Sequence, residues 1–314
     1  MKAVTINQYG LSDVLQYRDV DQPALAPNRL LVRVYASSVN PVDWKIRKGD
    51  LQLLSGYDFP LILGCDFAGV VEAVGAEVTL FQPGDEVYGM VNPLDGGAYA
   101  EYVAAPESGT APKPGNMSFE EAAAVPVAAL TALQSLLDLG QMRPGQQVLI
   151  NGASGGVGTF AVQIAKAMFA QVTAVCSSKN FDLVQSLGAE AVIDYSQQDF
   201  TQLLKEYDII FDAVGKRTFF ECEQALTPQG IYISTLPTPL NLAPSLISSL
   251  LPCKKAKLVL AQPSYRDLKA LRQLVESGKV HSVIDRVYPL SEIVKAHDYS
   301  EKSHAVGKIV LTHR

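Results

Sequence analysis

No histidine occurs before His281, and the chain holds only four in all. The first 280 residues therefore offer no imidazole to a metal, and a catalytic zinc needs about three ligands drawn from cysteine, histidine and carboxylate. The four cysteines, Cys65, Cys176, Cys222 and Cys253, lie far apart and form no C-x-x-C pair. A disulfide framework is excluded on that spacing, and a reducing compartment, the cytoplasm, is the expectation. Lys and Arg nowhere cluster, and at 26 against 32 acids they leave a net charge of −6. Such a surface is a poor partner for nucleic acid or an anionic membrane. Long apolar runs are missing too. The longest, Ala122 to Leu137, is broken by Pro126, Thr131, Gln134 and Ser135 and is too short to span a bilayer. Met1 to Asn7 reads as a strand and lacks a signal-peptide core, and Leu311 to Arg314 carries no peroxisomal or prenylation signal. No repeat or low-complexity tract occurs.

What is present centres on Val148-Leu149-Ile150-Asn151-Gly152-Ala153-Ser154-Gly155-Gly156-Val157-Gly158. A short apolar strand runs into G-x-x-G-x-x-G, and Val157, Phe160, Ala161, Ile164, Ala165 and Met168 then recur at helical spacing. Strand, glycine turn and helix form the context of a dinucleotide-binding loop. Glycines admit the tight turn and the close approach of a pyrophosphate. Free N–H groups and the dipole at the helix start then attract its charge. Ser154, Gly155, Gly156 and Val157 are the phosphate-binding candidates.

At 314 residues the chain accommodates two domains. Residues 1–120 read as β-rich, with strands at Leu30–Ala36, Gly69–Gly75, Glu86–Gly89 and Gly96–Val103. Their regular turns suggest a small, partly closed barrel. Ser118, followed by Glu120 and Glu121, marks a helix start, and Pro126 splits the Ala/Leu-rich stretch that follows. Beyond the central strand, Val172–Cys176, Ala191–Ile193, Asp208–Asp212, Ile231–Ser234 and Ala256–Leu260 alternate with helical segments. That alternation predicts a parallel, doubly wound sheet, with ligands at the carboxyl ends of its strands, where Ala213-Val214-Gly215 sits. The expected division is a first domain of 1–120, completed by 265–314, and a dinucleotide domain of 121–264.

Four stretches carry a resemblance: Asn40-Pro41-Val42-Asp43-Trp44-Lys45-Ile46-Arg47-Lys48-Gly49, Gly64-Cys65-Asp66-Phe67-Ala68-Gly69-Val70-Val71, Pro83-Gly84-Asp85-Glu86-Val87 and the glycine loop. With them the chain resembles the medium-chain dehydrogenase/reductase superfamily, specifically its zinc-free quinone oxidoreductase-like (alkenal/enone reductase) branch. The resemblance covers nearly the whole length. It implies an α/β architecture of a GroES-like β-barrel domain beside a doubly wound, parallel-sheet Rossmann domain. It also implies a homodimer that pairs through the Rossmann sheets.

The superfamily also contains zinc alcohol dehydrogenases. Their first two catalytic ligands, a cysteine and a histidine, fall at the positions matched here by Asn40 and Cys65, and their four-cysteine structural lobe is missing. No metal is expected, and His281, His297, His304 and His313 read as surface residues. In a Rossmann fold an acid roughly 20 residues past the loop marks NAD. The stretch here is Cys176-Ser177-Ser178-Lys179-Asn180, with no acid before Asp182. Ser177, Ser178 and Lys179 suit a 2′-phosphate, so NADPH is expected. By family match Tyr195 packs at that phosphate, Thr131 lies near the carboxamide, Val214 belongs to the cofactor set, and Asn40 and Lys45 are the catalytic candidates facing the nicotinamide. Tyr57 and Tyr88 are candidate proton donors or packing residues, and Leu236 to Pro252 shapes an apolar pocket, a dimer contact or core.

The cofactor brings the hydride, so the protein contributes positioning and electrostatics. The expected acceptor is a quinone or the β-carbon of an α,β-unsaturated carbonyl, whose arriving charge spreads onto oxygen and needs only a hydrogen-bond donor. Two readings stand beside this one. The first is an enoyl-thioester reductase with a larger substrate, and the second a non-catalytic NADPH-binding or sensor protein.

Overall fold

The computed structural model describes residues 1–56, 58–236, 244–245 and 254–313. The chain forms two compact units, Met1–Leu130 with Gln262–Arg314, and Thr131–Ala261. Its strands, in chain order, are β1 (Lys2–Ile6), β2 (Gln16–Asp19), β3 (Arg29–Val39), β4 (Leu61–Ile62), β5 (Asp66–Val74), β6 (Glu86–Met90), β7 (Tyr102–Pro106) and β8 (Thr110–Pro112). There follow β9 (Gln147–Asn151), β10 (Gln171–Cys176), β11 (Ala191–Asp194), β12 (Tyr207–Asp212), β13 (Leu226–Ser234), β14 (Lys255–Leu258), β15 (Ile284–Pro289) and β16 (Lys308–Thr312).

In the first unit β3 is the spine. Its early half pairs with β7, Arg29 opposite Pro106, and its late half with β16, Val39 opposite Ile309. Its other edge pairs with β5 throughout, with register irregularities near Val32 and Ala36. Irregularities of this kind bend a sheet, which lets β3 serve two partners along one edge. The sheet runs β15-β16-β3-β5-β6-β8, and β2-β1-β4 forms a small second sheet. Leu30, Val32, Val34, Phe67, Val71, Val87 and Val103 bury one common face. The closing segment belongs to the first unit: the helix Tyr265–Glu276 and strands β15 and β16 all fall in it.

Ser118 caps the helix Phe119–Ala123. Its hydroxyl accepts the Glu121 N–H at 3.2 Å while the Glu121 carboxylate accepts the Ser118 N–H at 2.8 Å. Pro126 then opens a second helix, Pro126–Leu133, which runs on into a π-helical turn, Gln134–Leu139. One expected strand differs. Gly96–Val103 is not continuous, because Gly96 and Gly97 both take positive φ, at 62° and 110°. Ala98 and Tyr99 donate sideways to the carbonyls of Gly64 and Leu63, and the ladder with β3 begins only at Tyr102. Alternation of small and large residues does not reveal such a double turn.

The second unit is a parallel sheet of order β11-β10-β9-β12-β13-β14. The order reverses between β9 and β12, where Asn151 lies opposite Asp212, and ligands bind at such a switch point. Val148, Leu149 and Ile150 are fully buried, as a strand covered on both faces requires. The helix Gly156–Ala167 packs Phe160, Ala161, Ile164 and Ala165 inward.

Candidate functional site

In the second unit the glycine loop leaves β9 at Asn151. Gly152 takes φ +81°, a conformation that side chains resist, and its carbonyl accepts the Gly155 N–H at 3.1 Å. Gly155 caps the helix Gly156–Ala167 in extended conformation, so the N–H groups of Gly156 and Val157 fall in the first turn, which lacks intrahelical acceptors. A Cβ on Gly158 would lie 2.1 Å from the Gly152 carbonyl oxygen, so only glycine lets the turn close on the helix. Two residues the sequence reading did not assign hold this end of the sheet. Asn151 Nδ2 donates to Asp212 at 2.9 Å, and Asp212 also accepts N–H bonds from Val214, Gly215 and Arg217. Val214 is thereby presented at the strand end, 43% exposed. A strand-terminal Asp followed by Ala-Val-Gly was the available signal for Asp212.

Ser154 and the ribose-end candidates meet through Asn180, whose Nδ2 donates to Ser154 Oγ at 3.0 Å. Ser178, Lys179 and Tyr195 are exposed, and Ser177 is half-buried. The structure adds an acid that a scan along the chain misses. β11 pairs with β10 so that Asp194 lies opposite Cys176. Its Oδ1 accepts the N–H and the hydroxyl of Ser196 at 2.9 and 2.7 Å, and these bonds first, with Ser178 a smaller influence, hold its pKa below the ordinary range. That oxygen is thus engaged in the turn that follows β11.

In the first unit Asn40 precedes the helix Pro41–Lys48 and is 3% exposed. Its backbone N–H donates to Asp43 Oδ2 at 2.7 Å, and Asp43 also accepts from the Tyr99 hydroxyl at 2.8 Å and the Cys65 thiol at 3.1 Å. Burial pushes the Asp43 carboxyl up to about 6 in spite of these donors. The Asn40 side chain joins a second cluster. Nδ2 donates to Asp66 Oδ2 at 2.8 Å, and Lys308 Nζ donates to Asn40 Oδ1 and, at 3.3 Å, to Asp66. Ser38 donates to the same carboxylate and the Val127 N–H reaches its other oxygen at 2.7 Å. Lys45, one turn into the helix, is half-buried with its ammonium 5.7 Å from the Trp44 ring centre. Burial draws its pKa down, and among the described residues no carboxylate is within ion-pair distance. Thr131 is buried in the helix Pro126–Leu133 and is the first residue of the second unit.

The donor set of the first unit does not fit zinc. Burial, then the Asp43 and Asp66 charges, drive the Cys65 thiol well above its ordinary range, and it donates to Asp43 Oδ1 at 3.1 Å. Asn40 Oδ1 faces an ammonium and the Asp66 oxygens are occupied by four donors. Among the described residues no group of three or more His, Cys, Asp and Glu can hold a metal.

Two expectations about exposure need correction. His297 is fully buried and His313 half-buried, while His281 and His304 are exposed. His297 was drawn inward by Arg47, whose guanidinium N–H donates to its Nδ1 at 3.2 Å, and His313 is held by Ser37 and the Ala100 carbonyl. Tyr88 belongs to the core, donating to the Leu268 carbonyl at 2.6 Å, and burial lifts its pKa far out of the range of a proton donor. Tyr57 and most of Leu236 to Pro252 lie outside the described residues.

Residues 26–115 match the family model of the alcohol dehydrogenase GroES-like domain, and 187–311 that of the zinc-binding dehydrogenases. The chloroplast envelope quinone oxidoreductase homolog of Arabidopsis thaliana is 37% identical over 99% of this chain and 98% of its own. The quinone oxidoreductase of Coxiella burnetii superposes with a TM-score of 0.92 at 34% identity, covering 100% of this chain and 99% of its own. Escherichia coli quinone oxidoreductase, solved with NADPH, superposes with a TM-score of 0.85 at 25% identity over 99% of this chain and 100% of its own. Full-length identity at this level, joined to a dinucleotide loop at the sheet's switch point, makes the chain a member of the medium-chain dehydrogenase/reductase superfamily, in its quinone oxidoreductase-like branch of NAD(P)H-dependent oxidoreductases.

Proposed function

We propose that the protein is an NADPH-dependent reductase of quinones and of the C=C bond of α,β-unsaturated carbonyls, alkenals and enones among them, and that it works without zinc. The observation that carries this reading is one chain holding a glycine loop at the switch point together with a polar cluster rich in N–H donors and poor in metal ligands. Bound NADPH supplies the hydride. Gly156 and Val157 offer their N–H groups, and Ser154 its hydroxyl, to the pyrophosphate. Thr131 and Val214 serve the nicotinamide end. Asn40 Nδ2 and the Lys45 ammonium donate to the acceptor oxygen as charge builds there. A quinone or enone spreads that charge by itself, so these donors suffice where a saturated ketone would call for a Lewis acid.

NADPH oxidation tests the reading, assayed on a quinone, a short 2-alkenal, a long-chain enone and a saturated ketone, with and without EDTA. Turnover of quinone or enone, silence on the ketone and indifference to chelator are expected. Ketone reduction lost on chelation would overturn it, and silence throughout with NADPH still bound would favour an acyl-thioester substrate or a binding role. The working unit is read as a homodimer of the reducing cytoplasm, joined through β14, which pairs on one side only among the described residues. Light scattering on the assayed sample should return twice the monomer mass.

The nucleotide preference rests on Lys179. Asp194 Oδ1 is taken by Ser196, and the exposed Lys179 and Tyr195 are read as meeting a 2′-phosphate. Lys179→Ala should weaken NADPH about tenfold, the scale of one charge-assisted bond, and leave NADH within about twofold. Equal losses for both nucleotides, measured by fluorescence titration, would remove Lys179 from the discrimination.

A further inference from the structure

We propose that Asp212 is a positioning residue of the dinucleotide site: its carboxylate locks the turn 213–217 against the glycine loop, so that Val214 and the loop meet a bound cofactor as one fixed wall. The role toward the cofactor rests on the NADPH reading above.

Asp212 ends β12 and is fully buried. Both of its oxygens are engaged. Oδ1 accepts from Asn151 Nδ2 at 2.9 Å, from the Val214 N–H at 3.2 Å and from the Gly215 N–H at 3.0 Å. Oδ2 accepts from the Arg217 N–H at 2.9 Å and lies 3.2 Å from the Tyr232 hydroxyl. Among the described residues no cation pairs with it, and the Arg217 guanidinium turns instead to Asp199 at 3.1 Å and Glu221 at 3.8 Å. A buried carboxylate held by dipoles alone keeps those dipoles in place, because each donor that leaves uncovers a charge that water does not reach. The turn is pinned from its other side as well, where the Tyr232 hydroxyl donates to the Arg217 carbonyl at 2.6 Å.

One carboxylate thus joins two segments whose anchor residues are 61 positions apart in the chain. Asn151 leads into the glycine loop, and the turn after β12 faces it. The fit between them is close: a Cβ on Gly152 would lie 2.3 Å from Val214 Cγ2, so that methyl group rests directly on the loop. An asparagine at 212 could not do the same. Its NH2 group would have to face either the Arg217 N–H or the three donors now on Oδ1, and a donor cannot bond a donor. Asp212 therefore acts through Val214 and Asn151 and, being buried, meets no ligand itself.

Amide hydrogen exchange on the protein without nucleotide reads the lock directly. In Asp212→Asn, exchange at Arg217, or at Val214 and Gly215 if the amide turns the other way, should quicken by about tenfold beyond any change at Leu149 and Ile150 in the buried strand. Unchanged protection at all three overturns the lock. Fluorescence titration then reads the site. On the NADPH reading the whole cofactor spans both segments, whereas 2′,5′-ADP stops short of Val214. The Kd for NADPH should rise roughly tenfold in Asp212→Asn while that for 2′,5′-ADP stays within about twofold. Wild-type affinity for NADPH, or an equal loss for both ligands, overturns the positioning role. The exchanged pair Asn151→Asp, Asp212→Asn rebuilds the one bond between the two side chains and leaves the N–H groups of the turn short of acceptors. It should stay weak, and recovery of wild-type affinity would assign the effect to that bond and overturn the lock. Tyr232→Phe serves if Asp212→Asn does not fold, since it keeps the carboxylate and releases the Arg217 carbonyl. Exchange at Arg217 and the Kd for NADPH should each rise about threefold there, and a wild-type value of either overturns the same claim. A wild type that binds no NADPH would refute the nucleotide reading, while exchange would still decide whether Asp212 locks the turn.

Discussion

Gly158→Ala should raise the Kd for NADPH at least about a hundredfold and lower stability by about 3 kcal/mol, the scale of overpacking a closed site. The new Cβ would stand 2.1 Å from the Gly152 carbonyl oxygen and 2.7 Å from Ala153 Cα. Both are backbone atoms of the same loop, so no side chain can swing aside. Gly152 cannot yield easily either, because its φ of +81° and its bond from Gly155 fix the turn. The helix must back away, carrying with it the first-turn N–H groups of Gly156 and Val157. Gly155→Ala provides the control for folding: φ there is −81°, and the added carbon meets its nearest neighbour at an ordinary 3.4 Å. Nucleotide titration and thermal unfolding of the two variants decide the matter. A Gly158→Ala protein binding within about threefold of wild type would show that the loop has slack the geometry denies.

Mild acid should destabilise the protein chiefly through His297. Burial first, then the Arg47 charge, lowers its pKa from 6.5 to about 3. The unfolded chain takes up the proton near 6.5 and the folded one does not, so stability is lost as the pH falls below 6.5. By pH 4.5 the loss reaches about 3 kcal/mol. His313, lowered to about 4 by burial, adds in the same direction with a smaller share because it is only half-buried. Asp43 opposes them. Its carboxyl at about 6 holds a proton longer when folded than the ordinary 3.8 allows, so acidification from pH 7 to 4.5 returns about 2 kcal/mol. The tautomer of His297 follows from its partner: Arg47 can only donate, so Nδ1 accepts and the proton sits on Nε2, which is buried without a hydrogen-bond partner. His297→Asn keeps an acceptor for Arg47 and cannot ionise. Urea unfolding between pH 7 and 4.5 should show about 3 kcal/mol less acid loss in that variant. The same loss in both proteins would assign the acid sensitivity elsewhere.

The glycine loop, the Ser118 cap and the strand–helix alternation were readable because each is local. A turn, a cap or a helical face is written within a dozen residues. Asp194 escaped a reading of the 176–182 stretch because it arrives from the neighbouring strand, opposite Cys176, where register and not sequence distance sets proximity. Lys308 escaped for the same reason over a far longer separation, and nothing around it distinguishes it from a solvated lysine. His297 was read as exposed because a lone histidine in a charged helical segment carries no mark of the Arg47 guanidinium and the Tyr99 ring that enclose it. Asn40 and Lys45 were singled out through a motif, yet the orientation of the Asn40 amide became visible only once its two charged neighbours were in view.

The first unit is interrupted by the whole of the second, since residues 131–261 separate its two pieces. The late half of β3 waits for β16, so that edge stays open from early in synthesis until Lys308–Thr312 has been made. At ordinary translation speeds the delay is roughly fifteen to fifty-five seconds. During it the parallel sheet, contiguous in the chain, can complete itself while β3 presents unpaired backbone to other nascent chains. Translation speed across the second unit, and chaperone access to the β3 edge, should therefore govern the soluble yield of this protein more than the stability of its finished fold.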